Sequence, residues 1–270
     1  MEINRSNIFE IVNKANLKPD KDYGQNLLVE PEISKRIIDS LKISEDDSVI
    51  EVGPGLGSLT HYLSEYNNPI KVVDIDFRMT NFLKIVYQGF KNIEVIENDI
   101  RKTDVLNYTK IVGNLPYNIT TETIQYLLMN ATNAKTMVFM IQSETYNHFC
   151  DISGKEYGPT SVLIHLLGKI EKLFTVKAGS FYPVPKCNSL VFSISIDTRI
   201  ERNAAIKAFK AAKQLFINRR KTIQNNLVNY LKDKELVNKL CADLKINPQS
   251  RPEQLSPEIY LAISEYIDKK

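Results

Sequence analysis

A chain of 270 residues with 43% hydrophobic and 25% charged side chains has the make-up of an ordinary globular protein, which excludes a disordered, collagen-like or coiled-coil chain. At roughly 150 residues per domain, the length predicts one large domain or two unequal ones. The net charge of +3 hides an asymmetry: residues 204–270 carry 13 basic and 7 acidic side chains, a net +6, against a net −3 before them. A basic module joined to a slightly acidic body points to an anionic partner for the tail, nucleic acid being the usual one, or to a solvated helical bundle rich in lysine. Cys150, Cys187 and Cys241 have neither zinc-ligand nor disulfide-framework spacing, so a reducing, cytoplasmic setting is expected. No apolar segment follows Met1 as a secretory signal would require, and the uncharged apolar run Met137 to Ile141 is too short to span a bilayer.

In chain order, Ser48–Val52, Ile70–Asp74, Ile93–Glu97, Lys110–Gly113, Met137–Ile141 and Leu190–Ile196 are β-branched or apolar runs that predict strands. Between them Glu32–Leu41, Leu59–Glu65, Arg78–Tyr87, Thr121–Met129 and Thr160–Leu167 predict helices. This alternation predicts an α/β domain: a parallel sheet with helices on both faces. After Asp197 only helical periodicity remains, over Ala204–Ile217, Arg219–Leu231 and Ser256–Ile267. The boundary is therefore placed at residue 200. Residues 1–200, with an N-terminal extension over 1–30, form the α/β domain, and residues 201–270 a small all-α C-terminal domain.

The strongest local signal is Glu51-Val52-Gly53-Pro54-Gly55-Leu56-Gly57, directly after the first strand. Its glycines suit a backbone that must approach a ligand closely, but G-x-G-x-G departs from the dinucleotide fingerprint G-x-G-x-x-G, which serves a pyrophosphate. Asp74 and Ile75 end the second strand, where a carboxylate can accept from both ribose hydroxyls. Asp99 and Ile100 follow the third, where a carboxylate can accept from an adenine amino group. Acids and glycines at adjacent strand ends define one crevice, suited to a nucleoside cofactor without pyrophosphate; S-adenosylmethionine is the common example. His61, His148 and His165 have no ligand spacing, and no metal is expected.

Gly113-Asn114-Leu115-Pro116-Tyr117-Asn118 ends the fourth strand and resembles the signature of adenine amino-methyltransferases, in the form found in the ribosomal RNA adenine dimethyltransferases of the KsgA type. Gly24-Gln25-Asn26-Leu27-Leu28, Phe181-Tyr182-Pro183-Val184-Pro185-Lys186, the stretch Phe216 to Leu227 and Arg251-Pro252-Glu253-Gln254-Leu255-Ser256 resemble further segments of that family, in its order. Asp74 stands where the family often has Glu, Leu27 where it has Phe. Ser143 and the Pro159-Thr160 pair remove two positive charges from a region expected to face RNA.

The resemblance implies a Rossmann-like S-adenosylmethionine-dependent methyltransferase fold with a small helical domain that binds RNA. It implies N6,N6-dimethylation of two adjacent adenosines in small-subunit ribosomal RNA, with a role in small-subunit biogenesis. The expected partner is an immature 30S-type subunit, and the chain is expected to act as a monomer away from membranes. The implied cofactor residues are Gln25, Asn26, Leu28, Glu51, Gly53, Gly55, Gly57, Asp74, Ile75, Asp99, Ile100 and Asn114. Asn114 and Leu115 would accept hydrogen bonds from the target amine, with Pro116 completing the motif. Tyr117 and Phe181 would hold the everted base between them. Lys186, Arg219, Arg220 and Lys221 are the expected RNA contacts, the last three on a helical face. The alternatives are a large-subunit RNA methyltransferase of the antibiotic-resistance type, which usually carries Asn-Ile-Pro-Tyr, and a non-catalytic ribosome-assembly factor.

Overall fold

The computed structural model of the chain describes residues 1–15, 17, 19, 25–116, 119–197 and 199–269. It divides into two compact units, Met1–Glu144 with Glu171–Ser195, and Thr145–Ile170 with Ile196–Lys270. In chain order the elements begin with α1 (Ile8–Lys14), β1 (Leu27–Leu28), α2 (Pro31–Asp39), β2 (Val49–Val52), α3 (Ser58–Leu63), β3 (Ile70–Asp74) and α4 (Phe77–Val86). Then come β4 (Ile93–Glu97), β5 (Lys110–Asn114), α5 (Thr120–Asn130), β6 (Thr136–Gln142), α6 (Asn147–Cys150), α7 (Pro159–Leu167) and β7 (Gly168–Val176). The chain finishes with β8 (Phe181–Tyr182), β9 (Ser189–Ile196), α8 (Arg202–Leu215), α9 (Ile223–Leu231), α10 (Lys234–Asp243) and α11 (Pro257–Asp268).

The main sheet has seven strands in the order β4-β3-β2-β5-β6-β9-β7. Strands β4, β3, β2, β5 and β6 are mutually parallel and β9 runs antiparallel to β6. All four residues of β2 are buried, as a central parallel strand covered on both faces requires. The edge strand β4 is partly exposed along its length. Chain order reverses at β2, which pairs β3 on one side and β5 on the other, and in open α/β sheets ligands bind at the carboxyl ends of strands flanking such a point. Asp76 starts α4 by accepting the Arg78 N–H at 3.0 Å, an N-cap that fixes the helix directly behind the end of β3. A two-stranded ribbon, β1 against β8, pairs Leu28 with Phe181.

In the second unit α7 is buried everywhere except Pro159 and His165. A helix apolar all round needs cover on every side, and within this unit α8 and α11 supply it. That packing assigns residues 145–170 to the helical unit, where the sequence places the single boundary at residue 200. A second difference concerns the expected helix Arg219–Leu231. Residues 216–221 form turns and a bend, and the helix begins at Ile223 because Thr222 is its N-cap, its hydroxyl accepting from the Asn225 N–H at 3.3 Å. Arg219, Arg220 and Lys221 therefore lie on a turn and not on a helical face. No helix among the described residues is long and apolar enough to cross a membrane.

Candidate active site

A cavity of about 310 Å³ opens at the carboxyl ends of β2, β3, β4 and β5, within the size range of small-molecule sites. Glu51, Gly53 and Gly55 after β2 line it, as do Asp74 and Ile75 at β3, Asp99 and Ile100 after β4, and Asn114, Leu115 and Pro116 at β5. Gln25, Asn26 and Leu28 close it from the N-terminal segment. Of the expected cofactor residues only Gly57 is absent from this wall. It adopts φ +88°, a left-handed conformation that favours glycine, as the residue preceding α3, and a Cβ there would come within 2.8 Å of Leu83 Cδ2. Its role is to bend the chain into α3, which is packed too closely to admit a side chain.

The acids of the cavity set its electrostatics. Glu51 is 1% exposed, and its Oε2 accepts from Thr60 Oγ1 at 2.6 Å. Burial pushes its carboxyl up to about 8 against the pull of that hydroxyl, and the nearby Asp74 adds to the rise. Asp74 accepts from the Asp76 N–H at 2.9 Å and the Gly55 N–H at 3.3 Å, while burial carries it to about 6. Neither is joined to a lysine or arginine among the described residues. Two desolvated carboxyls without a counter-charge form a cavity that favours a cationic, hydrogen-bond-donating ligand.

Asp99 differs from both. Arg101 Nε donates to it at 3.0 and 3.1 Å, and a guanidinium Nη at 2.7 Å. These hydrogen bonds hold its carboxyl below the ordinary carboxylate range. Arg101 lines the cavity beside it, together with Ser58 and Ile119, none of which the sequence singles out. The Asp99-x-Arg101 spacing is the one sequence signal that could have found any of them. Ile75 is 51% exposed, an apolar rim at the mouth.

Asn114 ends β5 opposite Met140 of β6. Its Nδ2 donates to the Asn26 carbonyl at 3.0 Å, so Oδ1 is the side-chain atom left to accept. The Leu115 N–H donates to the Met140 carbonyl at 3.1 Å, and the Pro116 carbonyl accepts from Thr120 Oγ1 at 2.9 Å, which together fix the backbone of the motif. Tyr117 lies outside the described residues, as do Gly24 and Asn118.

Phe181 is 2% exposed within the hydrophobic core that includes Leu28, Val176 and Val191, and it is absent from the cavity wall. Phe181 pairs with Leu28 in the ribbon. Arg219 is likewise engaged within its own unit. Its guanidinium donates to the Gly154 carbonyl at 2.9 Å and the Tyr157 carbonyl at 3.3 Å, and its Nε lies 3.7 Å from Glu253. It ties the 154–157 loop to the segment before α11. Arg220, Lys221 and Lys186 are exposed.

The family model for ribosomal RNA adenine dimethylase matches residues 15–269. The chain belongs to the ribosomal RNA adenine dimethylase family. Among similar relatives, ribosomal RNA small subunit methyltransferase A of Malacoplasma penetrans is 32% identical, over 93% of this chain and 92% of that protein. The enzyme of the same name from Borreliella burgdorferi is 32% identical, over 99% and 96% respectively. Among solved structures, a dimethyladenosine transferase from Plasmodium falciparum superposes with a TM-score of 0.77 at 24% identity, covering 90% of this chain and 98% of that one. That likeness supports the dimethylase fold: a Rossmann-like sheet with a helical C-terminal part.

Proposed function

We propose that this dimethylase transfers methyl groups from S-adenosylmethionine to the N6 amine of two adjacent adenosines in small-subunit ribosomal RNA, giving N6,N6-dimethyladenosine. The observation that carries the reading is Asn114, held by Asn26 with its carbonyl oxygen left to accept, on the wall of an acid-lined cavity. The site fits the cofactor, because buried Asp74 and Glu51 have no lysine or arginine partner among the described residues and would be drawn into the carboxylate form by a ligand that carries cationic and hydroxyl groups. When bound, S-adenosylmethionine supplies an electrophilic methyl group on a sulfonium.

The chain's own residues do the rest. An adenine amine is a poor nucleophile because its lone pair is delocalised into the ring. Acceptance of its N–H hydrogen bonds by Asn114 Oδ1 and the Leu115 carbonyl favours a more tetrahedral nitrogen and aims the lone pair. Orientation and exclusion of water then carry most of the barrier reduction. Asp74, and Glu51 once a cationic ligand ionises it, stabilise positive charge on the donor side of the cavity. Exposed Arg220, Lys221 and Lys186 are placed to meet phosphates. The chain acts as a monomer in the cytoplasm on immature small subunits.

The test is incubation with labelled S-adenosylmethionine and either undermethylated small subunits or large-subunit RNA. Label is expected in dimethyladenosine of the small-subunit RNA alone, and incorporation only into large-subunit RNA would overturn the assignment. A salt series separates the two roles of the basic turn. Arg220→Gln and Lys221→Gln should each flatten the slope of log affinity against log salt by about 0.7–0.9, one phosphate contact apiece. Arg219→Gln should lower the melting temperature and leave that slope unchanged, because its guanidinium is spent on carbonyls and Glu253.

A further inference from the structure

We propose that Asp76 is a positioning residue that pins the Gln25–Asn26 segment and, through it, sets the orientation of Asn114. This rests on the reading of Asn114 as the acceptor for the target amine. Asp76 touches neither ligand on that reading, and it is absent from the cavity wall.

The connections run without a gap from the donor side to the acceptor side. Asp76, 1% exposed, uses its backbone N–H to hold Asp74 Oδ1 at 2.9 Å. Its carboxylate Oδ2 accepts from Gln25 Nε2 at 2.9 Å. The next residue, Asn26, offers its carbonyl to Asn114 Nδ2 at 3.0 Å. Arg78 locks the hub, donating from Nε to Oδ1 at 2.9 Å and from a guanidinium Nη to Oδ2 at 2.6 Å. The carboxylate is thus ionised and fully committed, its acidity strengthened by the hydrogen bonds that outweigh its burial. Gln25 and Asn26 sit just before the two-residue strand β1, and these side-chain bonds help to set where the Asn26 carbonyl stands. If that carbonyl moves, the Asn114 amide loses the partner that decides which of its two ends faces the cavity. A displacement of that size at a reacting group is costly to rate even when binding persists. The donor acid Asp74 and the amine acceptor Asn114 are therefore held by one hydrogen-bonded frame, and Asp76 is its corner.

Gln25→Ala removes the link between the segment and the corner, and Asp76→Ala removes the corner itself. Each variant would be followed by the side-chain amide ¹H–¹⁵N resonance of Asn114, assigned by its loss in Asn114→Ala, and by steady-state methyl transfer. In both variants the Asn114 signal should move and kcat should fall about tenfold, a larger factor than the rise in KM for the donor. The double variant should be no worse than Asp76→Ala alone, because the two residues act in one chain. An unmoved Asn114 resonance with unchanged kcat in Gln25→Ala overturns the proposal, as does full additivity of the two changes. If the unaltered protein transferred no methyl group to any RNA, the proposed function would fail while the resonance still decided the positioning role.

Discussion

Replacing Asn114 with alanine should lower kcat for methyl transfer by about 10²–10³-fold, the range seen when one preorganised polar group is removed from a reacting centre. The side chain has two ends with two duties. Nδ2 is consumed by the Asn26 carbonyl, and Oδ1 is the acceptor that aims the amine. Alanine deletes both. The acids that favour a cationic donor, Glu51 and Asp74, belong to β2 and β3 and keep their own partners, Thr60, Gly55 and Asp76. Donor affinity by calorimetry should therefore stay within about threefold of the parent, a change of under 1 kcal/mol. Turnover at the parent rate would remove Asn114 from the chemistry.

The largest expected loss of stability comes from the residue before it. Gly113 sits in β5 directly opposite Val52 of β2, and a Cβ built on it would lie 2.5 Å from the Val52 carbonyl oxygen and 3.1 Å from Leu115 Cδ2. The first of these atoms is backbone in the buried central strand, so it cannot swing aside as a side chain could. Gly113→Ala must push β5 away from β2 at the point where their ends form the cavity floor. A cost of about 3 kcal/mol is expected, the upper part of the range for overpacking. That corresponds to a fall in melting temperature of roughly 10 °C for a chain of this size. Donor binding should weaken in parallel, since Glu51 and Asn114 sit on the two separated strands. A variant melting within a degree or two of the parent would show that the strand pair can open without loss.

Both predictions come from strand ends, and strand ends are where the sequence is most readable. The runs at Val49–Val52, Ile70–Asp74 and Lys110–Asn114 announce themselves by β-branched residues, as strands inside a parallel sheet do, and Ile93–Glu97 does so at the partly exposed edge. Given such strands, Glu51, Asp74, Asp99 and Asn114 must stand at the same edge of the sheet, and the structure places all four on one cavity. The elements that escaped reading are of other kinds. Strands β1 and β8 have two residues each, too few for any period. Strand β7 follows α7 without a break. Helix α10 starts on an Asp233 cap that accepts from the Leu236 N–H at 2.9 Å and buries Val237, Leu240 and Cys241.

Sequence alone determined which runs form strands and which residue types stand at their ends, because periodicity and turn chemistry are properties of neighbours along the chain. Tertiary structure decided which of those residues remain available. Phe181 packs in the core and Arg219 donates to two loop carbonyls beside Glu253, whereas Asp76, inconspicuous in the sequence, joins Gln25 to the end of β3. A ring or a guanidinium has the same chemistry whether it packs, braces or binds. Only the partners brought to it from distant parts of the chain settle which.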